Sequence, residues 1–140
     1  MRVVGAFLVI NAIAYAVQFV FNDLYQDGQG LEPKHIWQVI DYVAVVVILA
    51  ALAVNFMRLR SLLPSGGEAI SGERLGAYIL FYATAALTLW FFHNWIDLLT
   101  LTEGKSVSVY NNVIWKFIGV VFPLTIGTTG CILWRKASDG

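Results

Sequence analysis

The chain has 140 residues, of which 59% are hydrophobic and 13% charged, with a mean hydropathy of +0.71. That composition excludes an ordinary soluble domain, and nine basic residues balanced by nine acidic ones exclude the positive footprint of a nucleic-acid-binding surface. The single cysteine, Cys131, cannot close an internal disulfide and reads as a small packing residue inside an apolar run.

The first predicted span covers positions 3–21. Its nineteen residues, at about 1.5 Å rise each, extend about 28 Å, close to the ~30 Å hydrocarbon core of a bilayer. Arg2 and Ala14-Tyr15-Ala16 also resemble a signal peptide with its cleavage site. The apolar run continues past Ala16 to Phe21, which favours a retained helix. After a polar stretch ending in Glu32-Pro33-Lys34, a second span is predicted over 36–57; Pro33 suits a first helical turn, where its missing N–H costs no bond. The run of Val43 to Val54 is rich in β-branched residues, yet a helix closes its own backbone hydrogen bonds in lipid and a lone strand does not.

Arg58-Leu59-Arg60 ends the second span, and a middle loop with Pro64 and Ser65-Gly66-Gly67 follows. Ser71-Gly72-Glu73-Arg74 reads as the start of the third helix, predicted over 75–99. It closes on Trp90-Phe91-Phe92-His93-Asn94-Trp95-Ile96-Asp97, an aromatic belt of the kind found where a span meets water. The fourth span is predicted over 112–134, stopping at Arg135-Lys136.

Arg2, Arg58, Arg60, Arg74, Arg135 and Lys136 fall on the side shared by the termini and the middle loop, with Lys34, Lys105 and Lys116 on the other. The positive-inside rule then places both termini in the cytoplasm, with Trp37, Trp90, Trp95, Tyr110 and Trp115 near the outer level and Trp134 near the inner one. The expected fold is all-α: one four-span membrane domain over 1–140, its helices up-down-up-down as short loops favour, in a multi-pass protein of the cell or cytoplasmic membrane. The two hairpins echo each other weakly, as in Phe19-Val20-Phe21-Asn22 and Phe91-Phe92-His93-Asn94, but interfacial aromatics match by chance and the echo carries no function.

The informative residues are those a bilayer disfavours. Asn11, Tyr15, Gln18 and Asn22 share a face of the first helix; Gln38, Asp41 and Asn55 share one on the second. Tyr82, Ala86, His93 and Asp97 share one on the third, with Thr84 and Thr88 offset, and Asn112, Lys116, Gly119, Pro123 and Gly127 form a polar and small stripe on the fourth. Each face is expected to look inward. Asn11, Gln18, Gly119, Pro123 and Gly127 are assigned to helix packing, where small residues permit close approach and amides bond across helices.

The ionisable groups weigh more, because a charge at the centre of a span costs ~2.5–3.5 kcal/mol. Asp41, Lys116, His93 and Asp97, with Gln38 and Asn94, are assigned to an outer-level ligand or proton path, with Asp41 coupled to Lys116. His93 and Asp97 at i and i+4, with His35 and Asp41 nearby, have the spacing of metal ligands, but no HExxH or CxxC accompanies them. No metal site, catalytic residue or cofactor is assigned, and a haem held by His35 and His93 stands lower still. The favoured function is a non-catalytic subunit or accessory scaffold of a larger membrane assembly, with the bilayer and other proteins, or further copies, as partners. The alternatives are a small oligomeric transporter or channel and, below it, a membrane metal- or haem-binding redox protein.

Overall fold

The computed structural model describes residues 2–26, 33–62, 71–100 and 109–138. They form four helices, α1 (Arg2–Gln26), α2 (Pro33–Ser61), α3 (Gly72–Thr100) and α4 (Val109–Lys136). Each is long and apolar enough to cross a membrane. All four overrun the predicted spans. Hydropathy stops where side chains turn polar, whereas the backbone ladder continues through polar residues such as Asn22 and Arg58. Pro33 opens α2, and Ser71 caps α3 by accepting the Arg74 amide at 3.3 Å. Arg58 and Arg60 close α2, and Arg135 and Lys136 close α4, where cations complement the helix dipole. The polar connections lie mostly outside the described residues.

The helices differ in how closely they approach. α1 lies most closely along α4, α2 lies along α3, and α3 also meets α4, while α1 and α3 do not touch among the described residues. One core runs through the bundle, including Leu8 and Tyr15 from α1, Val47 and Ile48 from α2, Leu87 and Phe91 from α3, and Ile118, Phe122 and Ile126 from α4.

The α1–α4 seam is built on absent side chains. A Cβ on Gly5 would stand 2.9 Å from the Gly130 carbonyl oxygen, and one on Gly130 would stand 2.8 Å from that of Gly5. Gly119 lies under the Phe19 ring, Gly127 faces Ala12, and Arg2 Nε donates to the Ala137 carbonyl at 2.7 Å. Gly119 is buried, while Pro123 and Gly127 are half-buried. Asn11 and Gln18 do not join helices as expected. The Asn11 amide donates to the Phe7 carbonyl of its own helix at 2.7 Å, and Gln18 makes no hydrogen bond to another helix among the described residues. The buried face of α1 is instead Gly5, Leu8, Ala12 and Tyr15.

On α3 the inward face also differs from the expected one. Tyr82 and His93 are exposed and Ala86 and Asp97 half-buried; the buried line is Ala77, Leu80, Thr84, Leu87, Phe91 and Asn94, spaced alternately by three and four. That is the heptad-like spacing of two helices packed along a shallow crossing. The opposing α2 line is Asp41, Ala44, Ile48, Ala51 and Asn55. The outer aromatics likewise divide: Trp37, Trp95 and Trp115 pack against the core, whereas Trp90 is exposed.

Candidate functional site

Two sets of polar groups lie inside the bundle, fourteen residues apart along α2 and so about 21 Å apart along its axis. The set toward the C-terminal end of α2 is closed. Asn55 Nδ2 donates to the hydroxyls of Thr84 on α3 and Thr129 on α4, each at 2.9 Å, so one amide ties three helices together. Each threonine hydroxyl donates back to its own helix, Thr84 to the Leu80 carbonyl and Thr129 to the Thr125 carbonyl, both at 2.7 Å. Every hydroxyl proton is thereby committed, leaving lone pairs for the amide. Sequence spacing marks Asn55 as inward, but it sets Thr84 off the inward face of the third helix, where the structure buries it, and does not single out Thr129, which sits in an ordinary run of small polar residues.

The second set is open. Asp41 is 4% exposed, and its Oδ1 is buried without a hydrogen-bond partner among the described residues. Asn94 on α3 is 1% exposed; its Nδ2 donates to the Trp90 carbonyl at 2.9 Å, and its Oδ1 is likewise buried without a partner. The two residues directly precede Tyr42 and Trp95, whose rings meet edge to face at 5.5 Å, so both belong to the same level of the α2–α3 seam. Aromatic rings wall this level. Tyr15 stacks on Phe122 at 4.2 Å and meets Trp37 edge-on at 5.6 Å, Trp37 Nε1 donates to Asn22 Oδ1 at 2.6 Å, and Phe91 meets Trp115 at 5.7 Å.

No family model, curated protein or solved structure matches the chain. Its chemistry therefore rests on the geometry of its own side chains.

The remaining residues assigned to the outer path lie elsewhere. Lys116 and Gln38 are exposed, and among the described residues Lys116 makes no ion pair with Asp41. An ammonium on a four-carbon stem reaches the polar boundary more cheaply than it enters the bundle. His93 is exposed, 4.0 Å from Asp97 through Nε2 and Oδ2, and Asn111 Nδ2 donates to the same Asp97 oxygen at 3.0 Å. These three form a separate rim linking α3 to α4. Among the described residues, no three His, Cys, Asp or Glu side chains gather closely enough to hold a metal ion; the His35 side chain lies outside them. At the opposite end Arg58 faces Glu73 at 3.7 Å, and Arg74 Nε donates to the Leu62 carbonyl at 3.0 Å, fastening α2 to the start of α3.

Proposed function

We propose that this chain is a non-catalytic accessory subunit of a larger membrane assembly, crossing the bilayer up-down-up-down with both termini in the cytoplasm. The crossing pattern is supported by the pairs that meet: Gly5 with Gly130, Asn22 with Trp37, Asn55 with Thr84, and Asp97 with Asn111. The orientation rests on the distribution of Lys and Arg.

The observation that carries the accessory reading is Tyr82. It is 62% exposed and lies four residues from the middle of α3, about 6 Å along the axis from the centre of the span. Its hydroxyl makes no hydrogen bond among the described residues. A phenol facing hydrocarbon at that depth lacks the partner that a neighbouring helix supplies. Tyr82 belongs to an outward aromatic patch, stacked with Tyr78 and in contact with Phe81, which in turn meets Phe56 of α2. Aromatic residues are enriched at protein–protein interfaces, which supports a partner on this face.

A photo-crosslinking residue at position 82, activated in the native membrane, tests the reading against the same probe at the lipid-facing position 120. An adduct with a different protein at 82 alone supports an accessory subunit; lipid adducts alone at both positions overturn it. Self-adducts at 82 favour the second reading, a small oligomeric transporter, for which the supporting observation is the pair of unpartnered buried oxygens on Asp41 and Asn94.

A further inference from the structure

On the opposite side of the bundle, two apolar grooves diverge from one arginine. The first, about 380 Å³, follows the outer face of α4 along Pro123, Gly127 and Cys131 and ends at Arg135. The second, about 420 Å³, runs between α1 and α4, bounded by Val9, Ile10 and Trp134, and ends at the same Cys131 and Arg135. Both are open along the side that faces lipid. Small residues at Gly127 and exposed Cys131 leave the first groove hollow, and Cys131 is the low ridge between the two. From Pro123 to Arg135 is about 18 Å along the helix, against about 15 Å for half the hydrocarbon core.

The charge at the mouth has one sign. Arg135, Lys136 and Arg2 are exposed there, and Arg2 Nε donates to the Ala137 carbonyl. Neither Asp nor Glu occurs among the described residues at this end of α1 and α4; Asp139 lies outside them. The first groove runs about one leaflet deep, whereas the second, from Ala6 to Ile10 on α1 and Cys131 to Arg135 on α4, extends only about 6 Å. Headed by cations and flanked by the amphipathic Trp134, they match a lipid with an anionic head, one acyl chain along the first groove and the upper part of the other in the second. Basic clefts at the membrane surface select such lipids.

We propose that the α1–α4 face binds one anionic phospholipid, its phosphate on Arg135, one acyl chain along the groove from Arg135 to Pro123 and the first carbons of the other in the shorter groove across Cys131. This site is independent of the partner proposed for the α2–α3 face.

Trp134 supplies the readout, because the other four tryptophans are distant in sequence from this end and a Trp134→Phe variant removes the signal for subtraction. The protein is reconstituted in phosphatidylcholine vesicles containing increasing mole fractions of chain-brominated phosphatidylglycerol or, in parallel, brominated phosphatidylcholine. The expected result is quenching of Trp134 at a mole fraction about fivefold lower for the anionic lipid, the equivalent of about 1 kcal/mol for one basic residue at the surface. Arg135→Gln removes the preference, and Cys131→Phe, which fills both grooves from an exposed position, reduces quenching by either lipid. Arg60→Gln removes a cation from the same end of α2 and leaves the preference intact. Equal quenching by the two lipids in the parent protein overturns the proposal, as does loss of preference in Arg60→Gln equal to that in Arg135→Gln, which means a diffuse basic collar.

Discussion

Gly5 and Gly130 are reciprocal: each occupies the space that a Cβ on the other's helix would need, within 2.8–2.9 Å of a backbone carbonyl oxygen. Neither oxygen can move without shifting a helix, so the tolerance at this point is smaller than a methyl group. Close backbone approach is the main source of attraction between helices in lipid, where the hydrophobic effect offers none.

Gly5→Ala and Gly130→Ala are each expected to destabilise the bundle by about 1–3 kcal/mol, the usual cost of overpacking. Gly76→Ala is the control. A Cβ there meets nothing within 4 Å, so the variant gains about 0.5–1 kcal/mol from the better helix former. Thermal unfolding in detergent, followed by circular dichroism, separates the three.

The Asn55 amide is expected to be worth more than either threonine it serves. Asn55→Ala loses two interhelical bonds of about 0.6 kcal/mol each and leaves a cavity, for a cost of roughly 1–3 kcal/mol, whereas Thr129→Val loses one interhelical bond, together with the bond back to the Thr125 carbonyl, and keeps the shape. A double-mutant cycle between positions 55 and 129 should show positive coupling. If Thr129→Val costs the same with Asn55 present or absent, that bond contributes nothing.

Asp41 and Lys116 are expected to behave as strangers. Asp41→Asn keeps the shape and removes an ionisable group from an enclosed site, so it leaves stability unchanged or raised; Lys116→Met alters only an exposed side chain. Their effects should add within about 0.3–0.5 kcal/mol, which unfolding of the single and double variants measures. Loss of cation or proton uptake in Asp41→Asn, at unchanged stability, would select the transporter over the accessory subunit.

Topology is checked by labelling. In a Cys131→Ser background, Gly28→Cys and Gly104→Cys should react with an impermeant maleimide on intact cells, and Gly66→Cys should not. The reverse pattern inverts the orientation.

How far the sequence reveals the molecule depends on which helix is read. The four spans are plain from hydropathy because a bilayer imposes a fixed length, and Asp41 and Asn55 are recognisable as one inward face from their fourteen-residue spacing. α3 misleads because it is apolar all round, so periodicity cannot say which side is inside. Its most polar residues, His93 and Asp97, sit near the end of the span and turn to the rim, while the buried line is marked only by the alternation from Ala77 to Asn94. Asn11 deceives for a different reason: its amide is satisfied by the carbonyl one turn back, a partner every helix offers and no spacing rule distinguishes. Gly5 and Gly130 lie too far apart in the chain for any local pattern to connect them.

That distance has a consequence for biogenesis. α1 and α4 are the first and last of the four helices to leave the ribosome, yet they share the closest seam. α2 and α3 are neighbours in the chain and can pair as soon as both are threaded through the insertion machinery. α1 must wait. Until α4 is released into the bilayer, the notch at Gly5 has no tenant but lipid, and the final docking step is a search between the two most distant segments of the polypeptide. Any device that delays release of the last helix therefore holds the whole bundle in a three-helix intermediate with its tightest joint unmade.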